Sequence, residues 1–427
     1  MPRPLPFRRV SVIGLARTGR AVVGALAPRG VKVFVSEGRP LTPEEKAFLA
    51  NQAAWEERGH TERVLEADLV VPSPGVPSHS AVLQEAIRRR IPIWSEIELA
   101  YRVAEPEILI AVTGTNGKTT TVELIGGILR AAGLDPVVAG NIGCPAIFTA
   151  GEVAERPWVL EVSSYQLEWT ETFRPSVAVW LNFAPDHLDH HGTLAAYFAA
   201  KGRILACQRE EDVAILPREV LTCVAPRAQA VDLHSIELPP DWGTDLPDHL
   251  RDDLRAAWAA SCAAYPDLRS CPPIYTEVAA ALHQPHRLEW VGEFRGIPFV
   301  DDSKGTNAHA TVAALAAVPG PVVLILGGRH KRGGYEDLIP FLRGRVRMCI
   351  LIGESQAYFA DLLASGEVPY EMASDPSDAL RQAYRVARPG DTVLLSPACA
   401  SFDQFRDYAQ RGELFQKAFF ALDLDME

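Results

Sequence analysis

The sequence predicts an α/β protein of three domains, each built around a largely parallel sheet. Three observations predict it. A chain of 427 residues is long enough for about three cores. Apolar strand-like runs alternate with helix-like segments along most of it, and nearly every such strand runs at its carboxyl end into a polar loop, where open α/β sheets carry their ligands.

The first segment, residues 1–93, starts with a strand at "RRVSVIG", turns through "GLARTG" into a helix, and returns as a strand at "VKVFVSE". A further strand at "ADLVVPSPGVP" precedes a helix around "SAVLQEAIRRR", which makes the segment Rossmann-like. Gly14, Ala16 and Gly19 give GxAxxG, one substitution short of the dinucleotide fingerprint, and Glu37 ends the second strand where a ribose-binding acid would lie. On this turn alone, an NAD-dependent dehydrogenase and another nucleotide-binding protein are equally good readings.

The second segment, residues 94–284, carries "AVTGTNGKTTTVEL", from Ala111 to Leu124. Gly114 and Gly117 let backbone N–H groups converge on an anion, Lys118 adds charge at a helix N-terminus, and Thr119 stands where a P-loop hydroxyl meets Mg²⁺. Val112 replaces a glycine of the full Walker pattern, so the loop is a variant of it. The strands "PVVAGN", "WVLEVSS" and "VAVWLN" follow. Glu161 ends the second of them, where a carboxylate can hold Mg²⁺ beside a triphosphate. The stretch "NFAPDHLDHHGTLAAYFAAKGRIL" then supplies Asp186, His187, Asp189, His190, His191 and Lys201. Adjacent histidines cannot all face one ion, which argues against zinc; His187 is the better ligand, and His190 and His191 read as a solvated loop. Arg218 to Pro273 is Pro-rich and reads as irregular.

The third segment, residues 285–427, restarts the alternation with "IPFVDDSKGTN", "PVVLILGG", "MCILIGES" and "DTVLLSPACAS" and is again Rossmann-like. In "SPACASFDQF" a helix is expected to start near Ser401, with Phe402 and Phe405 in the core.

Composition narrows the function. With 48% hydrophobic and 22% charged residues the chain has the balance of a globular enzyme. A net charge of -12 argues against general binding to nucleic acid or anionic membrane, so anionic ligands must be met by loops, helix ends and single basic residues. No apolar run reaches membrane-spanning length, and "MPRPLPFRRVSVIG" lacks the core of a signal peptide, so a cytoplasmic protein is expected. Seven cysteines without a CxxC pair fit reduced thiols rather than a zinc ribbon.

The motifs "GTNGKTT", "GNIG", "EVSSYQLE", "DHLDHHG", "YFAAKGRI", "PHRLE", "DDSKGTN" and "SPACASFDQF" occur in the order found in the Mur ligases, the cytoplasmic ATP-dependent amide ligases of peptidoglycan synthesis, and the last two resemble the D-glutamate-adding members. The resemblance covers nearly the whole chain. It implies that the carboxylate of a UDP-linked muramoyl-alanine attacks the γ-phosphate of ATP, giving an acyl phosphate that the amine of D-glutamate displaces. ATP would be held by Gly114, Thr115, Asn116, Gly117, Lys118, Thr119 and Thr120, with Arg287, Asp302 and Lys304 from the third domain. Two Mg²⁺ ions are implied, the first on Thr119 and Glu161, the second on Glu161 and His187. Lys201 matches the family's carbamylated lysine; a plain lysine contacting phosphate is the alternative. The UDP-substrate would meet Gly14, Ala16, Arg17, Thr18, Ser36, Ser73, Pro74 and Gly75, with Asn141 and Ser163 facing its muramoyl or alanyl part. D-Glutamate would meet Thr306, Lys331, Ser401 and Tyr408.

The chain departs from the family's pattern at Glu37, where some relatives carry a basic residue. It departs again at Leu250 and Asp253, where many relatives carry asparagines. A monomer acting on small molecules is expected, with a sister ligase for another amino acid, a dehydrogenase, or a nucleotide-binding relative without activity as the competing readings.

Overall fold

Short runs such as Leu109–Thr113 and Val322–Gly327 are aliphatic at almost every position and buried throughout, as strands covered on both faces must be. In the computed structural model, which describes residues 6–150, 155–282, 284–331 and 334–422, these two lie in the middle of their sheets. Met1–Leu5 of the opening stretch and Arg332–Gly333 of the turn after Lys331 lie outside the described residues.

Among the described residues the strands form three sheets. The first contains β1 (Arg9–Ile13), β2 (Lys32–Glu37), β3 (Ala53–Glu57) and β4 (Leu69–Pro72) in the order β3-β2-β1-β4, all parallel. The second contains β5 (Leu109–Thr113), β6 (Val137–Gly140), β7 (Trp158–Glu161), β8 (Val177–Trp180), β9 (Val213–Leu216) and β10 (Gln229–Asp232) in the order β10-β9-β8-β5-β7-β6, also parallel. The third contains β11 (Glu289–Phe294), β12 (Ile297–Asp301), β13 (Val322–Gly327), β14 (Val346–Ile352), β15 (Tyr370–Met372) and β16 (Thr392–Leu395) in the order β11-β12-β16-β13-β14-β15. Its one antiparallel pair is β11 with β12, whose register shifts between Trp290 and Gly292.

The chain divides into two compact units, Met1–Phe183 with Ala195–Ala281, and Ala184–Leu194 with Leu282–Glu427. In the first, one apolar core runs from Val10 and Val35 under the first sheet through Trp94 and Ile97 to Leu160 and Trp180 under the second, and a smaller cluster joins Ile13, Val70 and Leu83. Glu98, fully buried, ties the join. Its carboxylate accepts the N–H groups of Glu171, Thr172 and Phe173 and the Thr172 hydroxyl at 2.7–3.1 Å. In the second unit, β13 and β14 separate two apolar clusters, one on each face of the sheet.

Two sequence expectations need correction. The stretch expected to be irregular contains the 17-residue helix Asp248–Ala264, whose alanine-rich face packs on the Lys118–Ala131 helix. The helix expected near Ser401 begins at Tyr408, capped by Asp407 accepting the Gln410 N–H at 2.9 Å. Ser401 therefore lies in the preceding turn, and Phe402 is 64% exposed rather than in the core.

Candidate functional site

The phosphate loop follows from its strand and its glycine. β5 delivers Thr113 to the sheet's carboxyl edge, and Gly117, at φ 82°, takes the left-handed conformation that redirects the chain into the Lys118–Ala131 helix. Asn182, two residues past β8, braces the turn. Its Oδ1 accepts the N–H groups of Thr115 and Asn116 at 3.0 and 2.9 Å, and its Nδ2 donates to the Asn116 carbonyl at 3.2 Å. These two backbone donors thus shape the loop instead of converging on an anion as expected from the sequence. The other N–H groups that could face an anion are those of the helix's first turn, at residues 118–120.

Around this turn the structure brings together most of the residues expected there. The Thr119 hydroxyl donates to Glu161 Oε2 at 2.7 Å, and the Asn141 amide donates to Oε1 at 2.8 Å. Glu161 is 3% exposed. A buried carboxylate beside a hydroxyl is the hard oxygen set that Mg²⁺ takes. Asn141, expected to face substrate, spends its amide on Glu161. Ser163 spends its hydroxyl on a capping box with Gln166.

Lys201 is 1% exposed, and its ammonium donates to the Gly114 carbonyl at 2.7 Å, 4.8 Å from the Tyr197 ring centre. Lys118 donates to the same carbonyl at 2.9 Å and to that of Thr115 at 2.8 Å. Two cations thus share one oxygen, Lys201 buried and Lys118 half-buried, and like charges this close repel.

In the first sheet the glycine turn works by close approach. A methyl group on Gly19 would meet the Gly14 carbonyl oxygen at 2.0 Å, so only glycine lets the Arg17–Leu26 helix start against β1. Ser73 donates to that carbonyl at 3.1 Å, with Pro74 half-buried and Gly75 exposed beyond it. Ala16 and Arg17 are exposed and Thr18 half-buried, and the Arg17 guanidinium reaches the Asn141 carbonyl at 3.4 Å. Glu37 accepts the Leu15 N–H at 2.7 Å, so this acid holds the turn itself. Ser36 is a correction: it is fully buried, with its hydroxyl between Glu56 at 2.6 Å and His60 at 2.7 Å, and presents no side chain to a ligand.

Glu96, buried near Arg17, has one oxygen on the Ile147 N–H at 2.6 Å and the other without a partner. Burial pushes its carboxyl up to about 7, while Arg17 and the Ile147 N–H pull the other way. The folded state therefore holds this proton more tightly than the unfolded chain, and the group costs stability as pH rises from about 4.5 through about 7. Glu96→Gln should lose that dependence, gaining on the order of 3 kcal/mol over wild type between pH 4 and pH 8. Parallel denaturation profiles of the two proteins at both pH values would contradict it.

In the second unit, His187 is left-handed at φ 55° and caps the short Leu188–His191 helix. Its N–H donates to Asp186 Oδ1 at 2.8 Å. Asp186, missed as a site residue from sequence, pairs with the Lys331 ammonium at 2.9 Å and accepts the Asn307 amide at 3.2 Å. Burial opposes its charge, but Lys331 and His187 more than offset this and hold its carboxyl below the ordinary range. Lys331, expected to meet a substrate carboxylate, is thus already placed on a protein one.

Arg287 and Lys304 are brought close by a Lys304 N–H bond to the His286 carbonyl at 3.0 Å, and the Lys304 ammonium lies 5.7 Å from the Tyr408 ring centre. Asp302 is 5% exposed; burial pushes its carboxyl up to about 7, against a 2.7 Å bond from the Ser396 hydroxyl. Thr306 is half-buried and Ser401 buried.

Comparison with known proteins places this geometry. Residues 9–82 match the model of the MurD N-terminal domain, 112–230 that of the Mur ligase middle domain, and 286–399 that of the Mur ligase glutamate ligase domain. The UDP-N-acetylmuramoylalanine--D-glutamate ligase of Acidobacterium capsulatum is 38% identical and that of Shouchella clausii 37%, over 96% of this chain and of each relative. Among solved structures, the UDP-N-acetylmuramate-alanine ligase MurC of Thermotoga maritima superposes with a TM-score of 0.57 at 16% identity, covering 97% of this chain and 99% of that one. MurF of the same organism, solved with ADP, gives 0.57 at 17%, covering 82% and 95%. At such identities these structures show a shared fold.

Proposed function

Because the chain belongs to the Mur ligase family, among its UDP-N-acetylmuramoylalanine--D-glutamate ligases, we propose that it joins D-glutamate to UDP-N-acetylmuramoyl-L-alanine with cleavage of ATP to ADP. Residues 1–93 take the UDP moiety, 94–284 the triphosphate and the acyl transfer, and 285–427 the amino acid. One geometry supports the ATP assignment above the rest: the Thr119 hydroxyl on the Glu161 carboxylate, 2.7 Å apart at the start of the phosphate-loop helix.

The substrate carboxylate attacks the γ-phosphate, forming a C–O–P bond while ADP leaves. The D-glutamate amine then attacks the acyl carbon, forming the amide as inorganic phosphate leaves and a proton is lost. Lys118 and the helix N-terminus gather and neutralise the phosphates while two anions are brought together. Thr119 and Glu161 would hold one Mg²⁺, and Glu161, His187 and a carbamylated Lys201 a second. Such ions supply charge neutralisation at phosphoryl oxygens. Arg287, Asp302 and Lys304 complete the nucleotide's contacts; Thr306, Lys331, Ser401 and Tyr408 meet the amino acid, with Lys331 exchanging Asp186 for a carboxylate of D-glutamate. No helix among the described residues is long and apolar enough to cross a membrane, and all substrates are small molecules.

ADP release should require Mg²⁺, UDP-N-acetylmuramoyl-L-alanine and D-glutamate together. Equal turnover with L-alanine or a diamino acid would move the chain to a sister ligase, and reduction of NAD without ADP release would overturn the reading.

A further inference from the structure

The carboxylate of Asp253 lies against the phosphate loop. The residue belongs to the Asp248–Ala264 helix and is 5% exposed, and a methyl group built on Gly117 would fall 2.1 Å from its Oδ1 and 2.9 Å from its Cγ. Gly117 opens the Lys118–Ala131 helix, so this acid stands at the positive end of that helix's dipole. The acyl-transfer chemistry calls for no acid there. The loop's task is to gather a polyphosphate, and a fixed anion beside it repels one.

We propose that Asp253 is a specificity-determining residue of the phosphate loop, a resident anion that selects the magnesium complex of the nucleotide over the metal-free form. The proposal rests on the ATP reading above. Without nucleotide, the carboxylate complements the start of the helix. With nucleotide, its repulsion scales with the ligand's charge, and metal binding cancels about two of the negative charges on ADP or ATP, so the free form is penalised more. Burial sharpens the effect, because little water lies between carboxylate and loop to screen it. An asparagine keeps the shape and one oxygen acceptor and removes only the charge.

Titration calorimetry with ADP in EDTA and with ADP in excess Mg²⁺, other substrates absent, tests this on wild type and Asp253→Asn. The variant should bind metal-free ADP about tenfold more tightly, with a smaller gain for the magnesium complex, so that the ratio of the two affinities narrows. Asp253→Ser, which also lacks the charge but fills less space, should narrow it likewise. A ratio unchanged in both variants overturns the proposal, whatever happens to their melting temperatures. Failure of wild type to bind ADP in either form would instead overturn the ATP reading on which the proposal stands.

Discussion

Lys201→Ala is expected to lose activity by on the order of 10²–10³-fold and to recover part of it in acetate or formate. The wild-type ammonium, 1% exposed, shares the Gly114 carbonyl with Lys118. A second cation there would also oppose a metal ion, since like charges ~4 Å apart cost about 4 kcal/mol at an effective dielectric of 20. Carbon dioxide would resolve both conflicts by turning the amine into an anionic oxygen donor of the kind Mg²⁺ prefers. A small carboxylate diffusing into the truncated site restores the charge and the oxygen. Rescue by methylamine with none by carboxylates would show Lys201 acting as a cation, and the second metal assignment would fall.

The largest stability effect is expected at Arg411. This side chain is wholly buried in the second unit, and among the described residues its hydrogen bonds go to no carboxylate. Its guanidinium donates to the Ser303 hydroxyl and carbonyl at 3.0 and 2.7 Å and twice to the Cys399 carbonyl at 3.1 Å. Ser303 in turn donates to the Tyr408 carbonyl at 2.8 Å. Burial pulls the guanidinium down to about 10, with nearby acids pulling the other way. One side chain therefore fastens "DDSKGTN" to "SPACAS" and to the last helix. Arg411→Met strands several acceptors at once and should cost about 3–5 kcal/mol. Arg411→Lys keeps the charge yet cannot span the same acceptors, and should recover little of the loss. Chemical denaturation followed by a probe in the second unit measures both. A loss under about 1 kcal/mol in the methionine variant would mean that water or rearrangement replaces the guanidinium.

The parts of this molecule legible in its sequence are those whose cause is local. The phosphate loop could be read because strand, left-handed glycine and helix start lie within a few residues of one another, and Glu161 because it ends an apolar run. Asn182 and Asp186 were not legible as site residues, since their roles come from partners 67 and 145 residues away. The Asp248–Ala264 helix was obscured by the prolines before it and by an alanine face that becomes meaningful only against the neighbouring helix. Ser36 looked like a site residue from its place near a strand end, but its hydroxyl is taken up by Glu56 and His60. Phe402 was assigned to the core on hydrophobicity alone, which a turn at the surface overrides.

The antiparallel strand β11 bears on how the chain behaves in company. It is the outermost strand of its sheet, so one row of its backbone groups is a template onto which another chain could add. Trp290, 58% exposed on this strand, would make such an addition adhesive. The register shift between Trp290 and Gly292 breaks the regular spacing of those groups, and Glu289 and Glu293 bring like charges into any copy that lines up with it. What looks like an irregularity in the ladder would thus hinder such pairing at a border that a barrel would have closed and an open sheet cannot.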